Sequence, residues 1–302
     1  NINAGTNNIN LTTVSGNISG AGSITAGNVD LQSALGIYGV NNVSSLNIKT
    51  DNFSAKNISA GDIIVDLTAN TAPQITVDNV EASFGGVWLF ANSDTVLNNV
   101  DTSGVDVDIA SNYLAGDDDG IINVYSNNNV SVDVVNAGQE NVVLDSLGSV
   151  TEAPNTDALA DVTGGSVYIY SNTGIGTDTN DLETNSNNLQ ISARESGNIN
   201  VTETSDDVTI DFAQTANGDI NLTANGNMTA NDIQTTAGNN NNINLTSNTG
   251  DVIVNSVNAN DGNASITANR GSIIEAGSDA GADVIGENVN LSSGFGIGAV
   301  NN

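Results

Sequence analysis

The chain has 302 residues, of which 4 are basic and 35 acidic, and it contains no His and no Cys. These absences exclude Ser-His-Asp and Cys-His catalytic arrangements, zinc sites built on His or Cys, and disulfides. The formal net charge of -31 argues against DNA, RNA and anionic membrane surfaces as partners, and no apolar stretch is long enough for insertion into a membrane.

A short strand phrase recurs from the start of the chain to its end. In each copy apolar and small polar residues alternate, and the phrase closes on Thr or Ser. The copies lie at 8–12, 198–202, 219–223, 242–246 and 288–292. Alternation sends successive side chains to opposite faces of a strand, so each phrase predicts a strand with one apolar face.

The phrases of the C-terminal third follow at a nearly constant step. The step leads from Ile199 to Ile220 and on through Ile243 and Ile266 to Val289. Such a short, regular period is typical of stacked-repeat proteins, and helix formers are scarce in the chain. We therefore predict an all-β fold, a β-solenoid with about 20–23 residues per coil and roughly 13 or 14 coils.

We predict one continuous solenoid over residues 1–302, with less regular segments near 84–120 and 146–188. Its many Asn residues suit the corners of the coils, since Asn tolerates left-handed backbone. Asn side chains repeated at one position of successive coils can also hydrogen-bond along the stack. A disordered, Asn-rich chain is the alternative, but the apolar residues, 38% of the chain, are regularly spaced.

An acidic run gives the best candidate for a metal site. Asp117, Asp118 and Asp119 precede Gly120, and carboxylates are the hard oxygen ligands that calcium prefers. The run lacks the spacing of an EF-hand loop, so a solvated turn is the alternative reading. Apart from this calcium candidate we expect no cofactor.

Aromatic residues give the candidate contacts for a ligand or partner. In strand register Phe84, Trp88 and Phe90 share one face, and Val87 and Leu89 the other. The aromatic face can stack on a sugar or on a partner protein, and a buried packing patch is the alternative. Further along, Tyr168 and Tyr170 alternate with apolar residues and are predicted on the outside if those residues face inward.

The repeats at 27–37, 218–273 and 286–298 resemble those of filamentous-haemagglutinin-like exoproteins, the large two-partner-secreted adhesins of Gram-negative bacteria. The resemblance implies a right-handed parallel β-helix that is secreted or displayed at the cell surface. It also implies a role in adhesion or in a biofilm matrix. The sequence begins and stops inside its own pattern, so we expect a mature fragment or a piece of a larger protein.

We predict a structural function, as an extracellular shaft of an adhesin or as a component of a filament or biofilm matrix. The expected partners are other copies of the chain, stacked end to end or laterally, and other surface components. A carbohydrate- or receptor-binding module is the alternative. A polysaccharide lyase or hydrolase is a weaker one, because an acidic chain places carboxylates such as Asp106 and Asp108 together by chance. We expect no enzymatic activity and no catalytic residue.

Overall fold

The structure is a computed structural model that describes residues 1–40, 44–103, 120–153, 159–236, 238, 240–277 and 281–298. Parallel strands stack into a β-solenoid of about 12 turns, and the described residues include no helix. The predicted all-β solenoid is confirmed. Accordingly, no helix in these ranges has the length and apolarity needed to cross a membrane.

The chain divides into two compact units. The N-terminal unit comprises residues 1–147 and 163–165, and the C-terminal unit comprises residues 148–162 and 166–302. The single continuous solenoid expected over residues 1–302 remains a prediction.

The strands of the N-terminal unit are short, as expected for a coil with several corners. They are β1 (Ile2–Asn3), β2 (Asn8–Thr12), β3 (Ile18–Ser19), β4 (Ser23–Thr25), β5 (Asn28–Ser33), β6 (Ile37–Tyr38), β7 (Leu46–Lys49), β8 (Asn52–Asn57), β9 (Ile63–Leu67), β10 (Gln74–Ala82), β11 (Val87–Ala91), β12 (Asp94–Leu97), β13 (Val100–Asp101), β14 (Ile122–Ser126), β15 (Val130–Val132), β16 (Val135–Asn136) and β17 (Asn141–Ser146).

The remaining strands begin after the first unit's main segment, and β19 contributes residues 163–165 to that unit. They are β18 (Val150–Glu152), β19 (Val162–Ser171), β20 (Leu182–Ala193), β21 (Ile199–Glu203), β22 (Val208–Thr215), β23 (Ile220–Ala224), β24 (Met228–Ala230), β25 (Ile233–Thr235), β26 (Ile243–Ser247), β27 (Val252–Val254), β28 (Val257–Asn258), β29 (Ala264–Ala268), β30 (Ile273–Glu275), β31 (Val284–Ile285) and β32 (Val289–Ser293).

The alternating phrase places one apolar row inside each coil. In β23, Ile220, Leu222 and Ala224 are buried, whereas Asn221 and Thr223 are half-buried on the outer side. The same pattern recurs in β26 and β29. Apolar residues of successive turns therefore stack on one another inside the coil, and their burial supplies the main driving force for folding.

The observed register corrects the even step read from the sequence. Ile220 pairs with Ile199 and Ile243 as expected, but Ile243 pairs with Ala264, and Ile266 pairs with Leu245 and Leu291. Two-residue shifts keep every side chain on its own face, so alternation alone cannot detect them. The segments between strands differ in length from turn to turn, and this accommodates the two-residue shifts in register.

The number of turns is also lower than the 13 or 14 expected. In the N-terminal unit, Val87 pairs with Ile63 on one side and with Ile122 on the other. The second step is the longer one, because it includes residues 104–119, which lie outside the described part. Because this turn takes more residues than the fixed period assumes, the chain completes fewer turns.

Asn side chains form the expected ladders along the stack. In the C-terminal unit, Asn221 Nδ2 donates to Asn200 Oδ1 at 2.7 Å, and Asn244 Nδ2 donates to Asn221 Oδ1 at 2.8 Å. In the N-terminal unit, Asn52, Asn28 and Asn8 are linked in the same way. Each inner rung both donates and accepts, so the outer face of the coil is tied from turn to turn.

A corner of the C-terminal unit brings two turns into close contact. At Gly226 an added Cβ would lie 1.3 Å from the backbone oxygen of Asp206. Only glycine fits such an approach without movement of the backbone. Steric contact at this corner therefore requires glycine at position 226.

Candidate functional site

An aromatic cluster lies on the outer side of the N-terminal unit. It is built on β9, β11, β14 and β17, which pair in parallel and in register. Alternation in these strands buries one row and turns the next outward. One outward row consists of Asp66, Phe90, Tyr125 and Asp145. The row beside it consists of Ile64, Trp88, Asn123 and Val143, of which Asn123 is buried.

Two rings of this surface stack on one another. The centroids of Phe90 and Tyr125 are 5.4 Å apart, and the ring planes differ by 7°. Tyr125 is 38% exposed, so the stack is open to solvent. Register places Asp66 beyond Phe90 and Asp145 beyond Tyr125. The aromatic pair is thus flanked by carboxylates along the stacking direction.

A shallow groove runs along this stack at the carboxyl ends of the strands. It has a volume of about 220 Å³ and is lined by Thr68, Phe90, Ala91, Tyr125, Ser126, Asn127, Asp145 and Leu147. Leu147 is 51% exposed and extends the apolar part of the lining. The groove therefore combines ring faces and an aliphatic side chain with carboxylate, amide and hydroxyl groups.

The polar side chains around the groove are held in place by local contacts. Asp66 Oδ1 accepts hydrogen bonds from the Thr68 amide at 2.8 Å and from the Thr68 hydroxyl at 2.5 Å. Asn127 Nδ2 donates to Asn92 Oδ1 at 2.8 Å. Such contacts pre-order acceptors at the edge of an aromatic surface, which is the arrangement of a small-molecule site with a few oriented polar groups.

The structure brings together two of the three clustered aromatic residues named from the sequence. Trp88 and Phe90 are half-buried on the outer face, and Val87 and Leu89 are buried on the inner face. The Trp88 indole lies over Gly86, where an added Cβ would be 2.4 Å from the ring. Phe84 precedes β11, because the strand begins only at Val87, and it is 44% exposed outside the row.

Tyr168 and Tyr170 belong to the C-terminal unit. Both are half-buried on the outer side of β19, while Val167 and Ile169 are buried. The guanidinium of Arg194 lies 5.1 Å from the centre of the Tyr170 ring. This cation–π contact gives the Tyr170 ring a partner within the fold. A role in ligand contact remains a prediction for Tyr168 and Tyr170.

The calcium candidate Asp117, Asp118 and Asp119 lies outside the described residues, as do Asp106 and Asp108. Calcium binding by the acidic run therefore remains a prediction.

Tyr125 was missed by the reasoning from sequence. It lies in β14, one turn after Phe90, and the neighbouring contact of Asn127 with Asn92 shows that this turn takes 35 residues. Other turns are shorter, with ladder contacts that span 20 residues (Asn28 to Asn8) or 25 residues (Asn288 to Asn263). A fixed period cannot bring Phe90 and Tyr125 together. The signal available was the alternation of β14 itself, in which Tyr125 is the exposed residue between buried neighbours.

The C-terminal unit contains a cluster of carboxyl groups that the sequence did not reveal. Oxygens of Glu152, Asp161 and Glu183 all lie within 4.8 Å of one another. Asp161 and Glu183 also bond through the backbone, since the Asp161 amide donates to the Glu183 carbonyl at 2.9 Å and the Glu183 amide donates to Asp161 Oδ2 at 3.0 Å. The available signal was Glu152 itself, an acidic residue at an inward position of β18.

Burial and mutual repulsion change how this cluster titrates. Burial, together with the charges of Glu152 and Glu183, raises the pKa of Asp161 to about 8. Burial and the charge of Glu152 also raise the pKa of Glu183, against the lowering effect of its hydrogen bond with Asp161. At neutral pH the cluster therefore retains a proton.

The carboxyl cluster has the donor atoms of a cation site. Carboxylates this close are stabilised either by a shared proton or by a cation. The raised pKa of Asp161 applies to the cluster with no cation bound, where the carboxyl groups form a titrating group of the fold.

Another buried carboxyl group, Glu203, has a structural role. Its oxygens accept hydrogen bonds from the Thr184 hydroxyl at 2.9 Å, the Ser186 hydroxyl at 2.9 Å and the Ser205 amide at 3.0 Å. Burial raises the pKa of Glu203, and these hydrogen bonds oppose the rise. The side chain thereby connects the end of β21 to the preceding turn.

Comparisons of the chain with protein-family models, with curated proteins and with solved structures find no match.

Proposed function

We propose that this chain is a structural repeat segment, a shaft that bears load within a secreted or cell-surface protein. The observation that carries the proposal is the pairing of Ile199, Ile220 and Ile243 in register, with Asn ladders beside them. Backbone hydrogen bonds and side-chain ladders run in the same direction, from turn to turn. Force along that direction is shared among many bonds.

The proposed location and partners derive from the resemblance of the repeats to filamentous-haemagglutinin-like exoproteins. The shaft would serve an adhesin, a filament or a biofilm matrix, and its partners would be other copies or other matrix components. Parallel strands support assembly of this kind, because a strand edge can pair with another chain. The acidic composition is compatible with a solvated extracellular surface.

Single-molecule force spectroscopy tests the load-bearing role. The full chain is placed between marker domains of known unfolding force and is stretched from its two ends. Each turn of the C-terminal unit should release in one increment, which for the turn from Ile199 to Ile220 is roughly 65–70 Å. We expect forces at or above those of the markers.

Extension of the chain without a resolved force peak would overturn the proposal. A variant with Gly226→Ala serves as the internal comparison, because the close approach at this corner lies in the C-terminal unit. This variant should lower the unfolding forces of the C-terminal unit and leave those of the N-terminal unit unchanged. A uniform loss of force would instead point to general destabilisation.

A further inference from the structure

We infer that the groove beside Tyr125 is a binding site for a neutral glycan, with one pyranose ring stacked on the tyrosine. The stack with Phe90 occupies one face of the Tyr125 ring. The opposite face is turned toward the position of Asp145, the next residue in register. An apolar ring face beside a carboxylate fits a sugar, which presents C–H groups on one face and hydroxyl groups at its edge.

The groove provides the acceptors that sugar hydroxyl groups require. Asp145 and Asn127 line it directly. Asp66 lies beyond Phe90 and uses Oδ1 for both of its contacts with Thr68. Its other carboxylate oxygen remains a further acceptor beside Thr68, which lines the groove.

The size of the groove favours a short contact with a chain of sugars. A volume of about 220 Å³ is below the roughly 300–1,000 Å³ of typical pockets for drug-sized molecules. It suits one ring of a polymer that continues across the surface. Trp88 is on the same side of β11 as Phe90, but its indole lies over Gly86 and is not part of the groove lining.

Charge decides which glycans are compatible with the site. The chain has 35 acidic and 4 basic residues, and carboxylates lie on both sides of the aromatic pair. An anionic polysaccharide would be repelled, whereas a neutral hexose polymer carries no charge and donates hydrogen bonds to the carboxylates. The structure thus assigns neutral glycans to this surface in preference to acidic ones.

Titration of the full chain with neutral and anionic oligosaccharides tests the site. The probes are hexaoses of glucose, mannose and galactose, with oligogalacturonate as the anionic counterpart. Isothermal titration calorimetry measures binding directly, without a reporter side chain near the groove. We expect saturable binding of at least one neutral hexaose and no binding of oligogalacturonate.

Variants separate stacking from other effects. Tyr125→Ala should weaken binding about tenfold, whereas Tyr125→Phe keeps the ring and should stay within about twofold of the parent. Phe295→Ala removes an aromatic residue that is 82% exposed in the other unit and should leave affinity unchanged. Circular dichroism of each variant confirms that the fold is retained.

Three results would overturn the inference. The first is no binding of any neutral hexaose, and the second is equal binding by the parent chain and Tyr125→Ala. The third is self-association in sedimentation that Tyr125→Ala abolishes, which would assign the surface to contacts between copies. None of these results bears on the load-bearing role, which force spectroscopy tests separately.

Discussion

Asn244 donates a hydrogen bond through Nδ2 to Oδ1 of Asn221 at 2.8 Å, although 23 residues separate them in the chain. Asn221 in turn donates to Asn200 at 2.7 Å. The amide group is suited to this role, because it carries donors and an acceptor on one planar group. A repeated Asn therefore links each turn to both of its neighbours.

Replacement of Asn221 by alanine removes two of these hydrogen bonds. We expect a loss of about 1–2 kcal/mol in the free energy of unfolding, measured by urea denaturation. Asn10→Ala is the matched control, since Asn10 occupies the same place in its phrase and makes no side-chain hydrogen bond with the described residues. Equal losses in the two variants would contradict a stabilising ladder.

Gly226→Ala tests the close approach of two turns at a corner. An added Cβ would lie 1.3 Å from the Asp206 oxygen, so the backbone must move. We expect the free energy of unfolding to fall by about 2–4 kcal/mol. Gly277→Ala is the control, because its Cβ would meet no atom of the described residues within 4 Å. If Gly226→Ala were as stable as Gly277→Ala, the close approach would not require glycine.

Phe53 is fully buried in the N-terminal unit, in register between Val29 and Val77. Phe53→Ala leaves a cavity between stacked turns, and we expect a loss of about 3–5 kcal/mol in the free energy of unfolding. Phe295→Ala, at a residue that is 82% exposed, should change it by less than about 0.5 kcal/mol. Thermal and urea denaturation of both variants provide the comparison.

Stability should depend on pH through Asp161. Its pKa rises from an ordinary value of 3.8 to about 8 in the folded chain, so the folded state binds more protons than the unfolded state between these values. This contribution to stability is complete below about pH 4, declines as pH rises and is absent above about pH 8. The temperature at which half of the chain is unfolded should therefore decrease as the pH is raised from about 5 to about 9.

Asp161→Asn isolates the effect of this residue. Asparagine mimics the protonated carboxyl group and does not titrate, so the fall of the midpoint with pH should become smaller. Glu183 and Glu203, whose pKa values are also raised, should retain part of the fall. The exposed Asp206 provides the matched control as Asp206→Asn. An unchanged slope in Asp161→Asn would show that the cluster does not titrate in this range.

Much of the fold follows from alternation in the sequence, but the register does not. Ile220 and Leu222 are predicted inside and Asn221 outside, as observed. The pairing of Ile243 with Ala264 could not be predicted, because a shift by two residues preserves every inward position. The lengths of the corners decide between such registers, and they are set by contacts distant in sequence.

The candidate site was predictable only within a single strand. Trp88 and Phe90 share a face because they alternate with inward residues in β11. The contact of Phe90 with Tyr125 depends on the long turn between β11 and β14, and the cluster of Glu152 with Glu183 joins different strands. Contacts across turns of unequal length carry no periodic signal in the sequence.

Ile199, Ile220 and Ile243 occupy equivalent positions in successive turns of nearly equal length. A coding segment for one turn can therefore be duplicated or lost without changing which residues face the interior. Unequal recombination between such segments would vary the number of turns within a lineage while preserving foldability. Selection on size could then act through gain and loss of repeats, with little need for new core residues.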